Sequence, residues 1–312
     1  MNIDRDLPEV PVFSWDKPES FLASPLPLQR KYLESLPFEE REPWILLLEK
    51  DPRKGRQNLA SLLRRQEAGE RLLLQRFREL RDFDRDRAKG RILAGVDEVG
   101  RGPLAGPVTA AAVILPRDFH APGLDDSKKL GPAAREKWAE EIRKEALAWA
   151  IADLPAGEID RVGIRKAVDH VMREAVMQLP LQPELLLVDG NHCPSGLPPS
   201  EAHVGGDRRS LSIAAASVLA KVHRDRWMKS ISLQYPDYGF DSHKGYGSSS
   251  HEDAIRLHGP CPIHRRSFLG RILEEKSSRS SRKARGEDGR ELSGDDRPCH
   301  SLKEPDRGSP RD

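Results

Sequence analysis

The chain has 312 residues, with 33% charged and only 5% aromatic side chains and a formal net charge of +2. That length allows one or two domains, but so large a share of charge leaves much of the chain outside any core. The near-neutral balance excludes a global basic field, so a nucleic-acid partner has to be sought in local patches.

The N-terminus, MNIDRDLPEV, is acidic and has no apolar h-region, so it is not a secretory signal. The longest apolar runs, such as Trp44 to Leu48, are far too short to span a bilayer. Cys193, Cys261 and Cys299 form no paired framework and fit a reducing compartment. A cytoplasmic chain with no membrane partner is expected.

In chain order, residues 1–26 read as a poorly ordered arm, rich in proline. Residues 27–90 read as a helical extension. Asp51-Pro52 resembles an N-cap followed by proline at the first helical position. Leu59, Leu62, Leu63, Leu72, Leu73, Phe77 and Leu80 then recur at helical spacing among arginines and glutamates. Such a helix either packs on the main domain with a solvated outer face or serves as a substrate-binding appendage.

From Ile92 the pattern changes. Ile92 to Val96 and Val108 to Leu115 are strand-like apolar runs joined by glycines and prolines. Pro132 to Leu147 reads as a helix, Trp149 to Leu154 as a third strand, and Ile159 to Leu179 as one helix. Leu185 to Val188 reads as a buried parallel strand because nothing polar interrupts it. Ala202 to Val204 is a candidate fifth strand, and Ser212 to about Leu233 a long helix opening with small residues. Ser250, with Asp253 three residues on, resembles a helix start, and Gly259 its stop. Residues 275–312 hold serine, glycine, proline and nearly balanced charge, the composition of a disordered tail. The alternation of strands and helices argues for one α/β domain over 91–274.

Acids follow these strands. Asp97 and Glu98 follow the first, Asp189 the parallel one, and Asp207 comes after Gly205-Gly206 beyond the fifth. In open α/β sheets, ligands gather outside strand ends. Carboxylates collected there repel one another unless cations sit among them. Oxygen donors without a convergent His/Cys set suit Mg²⁺ or Mn²⁺. Two such ions about 4 Å apart can clamp the attacking and leaving oxygens of a phosphoryl displacement. Each acid alone is more often a turn or cap residue, and only their joint placement at strand ends shifts the balance towards a metal site. Adjacent strand residues face opposite ways, so Asp97 and Glu98 can serve one site only if the strand stops or bends there.

The full set of motifs resembles the bacterial ribonuclease HII family, the type 2 ribonucleases H. It comprises "GVDEVGRGPLAGPV" (95–108), "DDSKKL" (125–130), "LLVDGN" (186–191), "SIAAASVLAKVHRD" (212–225), "YPDYGFDSHKGYGS" (235–248) and "HRRSF" (264–268). The helical extension, including "DPRKGRQNLASLLRR", resembles an N-terminal extension found in some members.

The resemblance implies a ribonuclease H-like fold, a mixed five-stranded sheet flanked by helices. It implies endonucleolytic cleavage of RNA–DNA hybrids and incision beside single ribonucleotides embedded in duplex DNA. Asp97, Glu98, Asp189 and Asp207 match the family's metal-binding acids, which hold two Mg²⁺ or Mn²⁺ ions during catalysis. Gly100, Arg101 and Gly102 match the loop that senses the ribonucleotide, and Tyr246 the tyrosine that stacks on the neighbouring deoxyribose. Ser127 and Lys128 are expected phosphate contacts, and Lys129 is equally a solvated charge. Ser217 and Lys221 share a helix face, where Lys221 either nears the site or makes an ion pair. Cys261-x-x-His264 lacks a second pair at zinc-site spacing. His264-Arg265-Arg266 is expected to fix the C-terminal segment or meet a phosphate.

Two positions depart from the family. Gly205 stands where lysine is usual and Gly163 where asparagine is usual. Neither departure removes an acid, which argues against an inactive nucleic-acid binder. The helical extension argues against the sister ribonuclease HIII type, whose N-terminal domain is β-rich. A monomer is expected.

Overall fold

The computed structural model describes residues 18–274. Residues 1–17 of the expected arm and the expected tail, 275–312, lie outside the described residues.

The chain begins with four helices: α1 (Pro18–Ala23), α2 (Leu26–Ser35), α3 (Phe38–Lys50) and α4 (Lys54–Ala88). Pro18–Ala23 corrects the reading of an arm. It is helical because Phe21 is wholly buried against Tyr32 and Trp44, and burying an aromatic ring outweighs the local proline content. Leu33, Ile45, Leu48, Leu59 and Leu63 complete this small core. Asp51-Pro52 does not cap α4. The Asp51 carboxylate accepts from the Arg53 N–H at 2.9 Å and from the Arg56 guanidinium at 2.8 Å. Asp51 thus closes α3, and α4 starts at Lys54.

The second unit is built from β1 (Leu93–Val99), β2 (Val108–Ile114), α5 (Pro132–Glu145), β3 (Ala148–Leu154), α6 (Ala156–Val162), α7 (Ile164–Met177), β4 (Leu185–Asp189), β5 (Ser200–His203), α8 (Leu211–Ile231), α9 (Phe240–His243) and α10 (Ser249–His258). The strands form one mixed sheet in the order β3-β2-β1-β4-β5. β1–β2 and β2–β3 pair antiparallel, and β1–β4 and β4–β5 parallel.

Residue alternation along the strands assigns the two faces. Ala94, Val96, Ala110, Ala112, Leu186 and Val188 pack against α7, while Ala111 and Val113 pack against α5 and α8. Small residues at the start of α8 let it approach the sheet closely. Gly95 is required there, because a Cβ on it would lie 2.1 Å from the Ser212 carbonyl carbon.

Three boundaries differ from the sequence reading. The single helix over 159–179 is two helices, broken at Gly163, whose φ of +81° no helix interior accepts. The fifth strand is Ser200–His203 rather than 202–204. Ser248, not Ser250, caps α10, its hydroxyl accepting from the His251 N–H, and Gly259 ends that helix as expected.

α4 joins the two units. At 35 residues it is about 52 Å long. Its first half shares the core of α1–α3, and its second half buries Phe77 and Leu80 against α5 and α8. The Asp84 carboxylate accepts from the Ser212 N–H at 2.8 Å, so α4 also caps α8. Among the described residues no helix is long and apolar enough to cross a membrane.

Candidate active site

β1 does not stop or bend at Glu98, as the sequence reading required. It stays paired with β2 through Val99. What ends is the other neighbour. Pairing of β1 with β4 stops at Val96↔Val188, and β4 itself stops at Asp189. The last residues of β1 therefore overhang on one side. Asp97 and Asp189 occupy the next register position and share the α8 face, while Glu98 lies on the opposite face. The end of β4 lets all three meet.

Asp97 is buried, 5% exposed. Its Oδ1 accepts from the Glu98 N–H at 2.7 Å, and its carboxylate also bonds to the Ser217 hydroxyl. Burial, then the charges of Glu98 and Asp189, push its pKa well above the ordinary carboxylate value. Burial also raises Glu98, with Arg101 working against it from 3.2 Å. Asp189 Oδ1 accepts from the Gly206 N–H at 2.6 Å, which ties β4 to the turn carrying Asp207. Asp207 is pushed up by burial and then by Asp126 and Asp189.

Asp126 is a further carboxylate at the site, buried and hydrogen-bonded to Asp207, and sequence reasoning did not single it out. It lies within the quoted DDSKKL stretch, but nothing in that stretch separates it from its neighbour Asp125.

Few cations compensate these acids. Lys128 Nζ stands 3.7 Å from Asp207 Oδ2. Desolvation works against its charge, yet Asp207, Asp126, Asp97 and Asp189 together hold its pKa above the ordinary lysine value. Lys129 pairs with Asp125 at 2.9 Å, and Lys221 with Asp225 at 2.8 Å. Ser127 is buried, its hydroxyl 2.9 Å from that of Ser217. It therefore supports Ser217 and Asp97 and is not a surface contact.

Among the described residues no three His, Cys, Asp or Glu side chains close around one point as in a finished metal centre. The donor chemistry nonetheless fits a hard divalent cation. Asp97, Glu98, Asp189 and Asp207 supply only oxygen, and Asp97 and Asp207 are buried; the charge of Asp189 helps to raise the pKa of Asp97, Glu98 and Asp207. An added cation would relieve that repulsion.

The Gly100–Gly102 loop follows directly. Gly100 has φ +91°, and a Cβ there would lie 2.5 Å from Arg224 Nε and 2.8 Å from the Pro107 carbonyl oxygen. Two fully buried arginines hold this loop from beneath. Arg265 donates to the carbonyls of Gly100, Arg101 and Gly106 at 2.6, 3.0 and 3.0 Å. Arg224 donates to those of Ala105, Pro107 and Lys244 at 3.0, 2.9 and 3.0 Å. With the Gly100 and Arg101 carbonyls turned inward, the trans peptide geometry turns the N–H groups of Arg101 and Gly102 outward. Burial, then the neighbouring Arg224, brings the Arg265 pKa down to about 9.

Sequence reasoning gave Arg265 only a choice of roles and missed Arg224. A guanidinium bonded to carbonyls leaves no charge-pairing signature in a sequence. Arg101 itself is exposed, and Gly102 has open space around it.

Tyr246 stands beside this loop, because the Leu104 N–H donates to the Gly245 carbonyl at 2.8 Å. Tyr246 is 42% exposed, with the Arg224 guanidinium 5.8 Å from its ring centroid. The Tyr246 carbonyl is 2.9 Å from Nδ1 of buried His251, and Nε2 of that ring is 3.0 Å from His264 Nε2. His264 Nδ1 accepts from the Cys261 N–H at 3.0 Å. Cys261 and His264 thus belong to a buried hydrogen-bond chain behind Tyr246. Gly205 and Gly163, the two departures, both have positive φ, +65° and +81°.

Comparison with known proteins gives the family. Residues 94–270 match the family described as Ribonuclease HII, and residues 30–87 match Ribonuclease HII N-terminal domain. The chain is 47% identical to a ribonuclease HII of Halalkalibacterium halodurans over 229 residues, which cover 73% of this chain and 87% of that protein. It is 53% identical to a ribonuclease HII of Pelodictyon phaeoclathratiforme over 191 residues, covering 59% of this chain and 93% of that one. The crystal structure of ribonuclease H2 from Pyrococcus horikoshii is similar with a TM-score of 0.51 at 26% identity, covering 59% of this chain and 98% of that chain. The chain therefore belongs to the ribonuclease HII family and is a ribonuclease H hydrolase, an endonuclease acting on RNA–DNA hybrids.

Proposed function

We propose that the enzyme also incises duplex DNA on the 5′ side of a single embedded ribonucleotide, leaving 3′-hydroxyl and 5′-phosphate ends. The observation that carries this reading is the Asp97-centred group of carboxylates joined by two residues of backbone to a loop whose N–H groups face outward. Asp97, Glu98, Asp189 and Asp207 would hold two divalent ions, Mg²⁺ or Mn²⁺, which supply water activation and Lewis-acid stabilisation of phosphoryl transfer.

The chain's own residues do the rest. The outward N–H groups of Arg101 and Gly102 bond the 2′-hydroxyl, the one group that separates RNA from DNA at the cleaved position. The Tyr246 ring, whose backbone carbonyl is held by His251, stacks on the neighbouring deoxyribose. Lys128 meets a backbone phosphate, a contact that positions the duplex but reads no sequence. Ser127 and Ser217 hold Asp97 in place. Cys193 and Cys261 are unpaired, which suits a reducing cytoplasm.

A metal-removal assay on two substrates tests this reading. Chelated enzyme should cut neither a long hybrid nor a duplex with one ribonucleotide, and Mg²⁺ or Mn²⁺ should restore both. Cleavage of either substrate by fully chelated enzyme would contradict it.

A further inference from the structure

The helical extension is optional in this family. The Pelodictyon relative is 93% covered by 191 matched residues, too few for both a catalytic unit spanning 94–270 and an extension spanning 30–87. In this chain, however, α4 reaches the active site. Arg76, one turn before Leu80, sends its guanidinium across to two separate loops. Its Nη2 lies 3.4 Å from Asp125 Oδ1 and donates to the Arg208 carbonyl.

Both loops carry site residues at the adjoining position. Asp125 precedes Asp126 and the Ser127–Lys128 pair, and Arg208 follows Asp207. Asp126 is hydrogen-bonded to Asp207, and Lys128 faces Asp207 across the same gap. Neither loop belongs to a long helix or strand. Residues 125–130 hold no helix or strand, and Gly206–Arg208 is a single 3₁₀ turn. A planar guanidinium with several fixed donors is suited to tie a carboxylate and a carbonyl together. The base of α4 is anchored independently by Phe77 and Leu80, so Arg76 projects from a fixed platform.

We propose that Arg76 is a positioning residue. Through it, the extension sets the separation of the Asp126–Lys128 loop from Asp207. This inference rests on the metal-site reading above, since what it tunes is the geometry of the carboxylates that hold the ions. Groups bonded directly to a metal ligand typically change metal affinity or activity by about 10- to 100-fold when removed, and Arg76 acts one contact further out, so the lower end of that range applies.

The test uses the full chain and three variants, Arg76→Ala, Arg76→Lys and Glu79→Ala. Glu79 touches Arg76 at 3.3 Å from the solvent side and serves as the control. Mn²⁺ binding to substrate-free protein is followed by the free-ion electron paramagnetic resonance signal. Hybrid cleavage then gives kcat and KM, and thermal melting reports the fold.

Arg76→Ala should weaken Mn²⁺ binding and lower kcat by about 10-fold. KM should stay within about twofold and Tm within a few degrees, because the anchoring core is untouched. Arg76→Lys should recover part of both losses, and Glu79→Ala should match wild type. Wild-type Mn²⁺ affinity and kcat in Arg76→Ala would overturn the proposal. A wild-type chain that binds no Mn²⁺ would overturn the metal reading itself. Should Arg76→Ala fail to fold, Asp125→Asn decides with Lys129→Ala as its control: Asp125→Asn removes the charge that both Arg76 and Lys129 pair with and should weaken Mn²⁺ binding about threefold, while Lys129→Ala should match wild type. Unchanged Mn²⁺ binding in Asp125→Asn would then overturn the proposal.

Discussion

Asp97→Asn is expected to reduce hybrid cleavage by roughly 10³-fold or more, the scale of losing a central member of a catalytic set, while the protein stays folded. The two halves of this expectation have one cause. Asp97 is buried with Glu98, Asp189 and Asp207 around it, and burial plus those charges disfavour its ionised form. An amide keeps the size of the side chain and its hydrogen bonds to the Glu98 N–H and the Ser217 hydroxyl, with the oxygen facing the N–H. It removes a charge that the fold does not need. Tm should therefore equal or exceed that of wild type, whereas Mn²⁺ binding and turnover should collapse. A variant with wild-type turnover would remove Asp97 from the site. One that unfolds would show that its charge is structural.

Arg265→Lys is expected to lower kcat/KM on a hybrid by about 10²-fold, the penalty for a misplaced contact of about 1 Å. Arg265 makes three carbonyl bonds in fixed directions, two of them to Gly100 and Arg101. A lysine keeps the charge but has one nitrogen, which cannot reach all three carbonyls. Two lost bonds at about 1 kcal/mol each should lower Tm by about 5 °C. Calorimetry and steady-state kinetics measured on the same preparation check both numbers. A Tm loss of this size with unchanged kcat/KM would mean that the loop's orientation does not matter for catalysis.

The sheet was readable from the sequence wherever one residue pattern answered to one environment. Leu185–Val188 is continuous and apolar because it is buried on both faces. β2 is likewise buried throughout. Boundaries failed where contacts distant in sequence decide. Gly163 splits a helix whose apolar stripe runs straight across the break, and Phe21 makes a helix of what composition presents as an arm.

At the site, Asp97, Glu98, Asp189 and Asp207 were marked by their place after strands, although only the motif set distinguished them from turn acids. The stop at β4, which lets neighbours on opposite faces of β1 share one field, lies in strand register, and no single segment encodes it. Asp126, Arg224, Arg265 and Arg76 were hidden for a related reason. Their partners are a distant acid or backbone carbonyls, and carbonyls are the same at every position in a sequence.

Where the cut falls tests the proposed reaction most directly. A duplex of DNA with one ribonucleotide, labelled at either end, is digested in Mg²⁺, and the fragments are sized and their termini identified. Carboxylates placed beside a loop that reads the 2′-hydroxyl predict a single incision on the 5′ side of the ribonucleotide, with 3′-hydroxyl and 5′-phosphate ends. Incision on its 3′ side, or an intact duplex under conditions where a long hybrid is cut, would contradict that assignment.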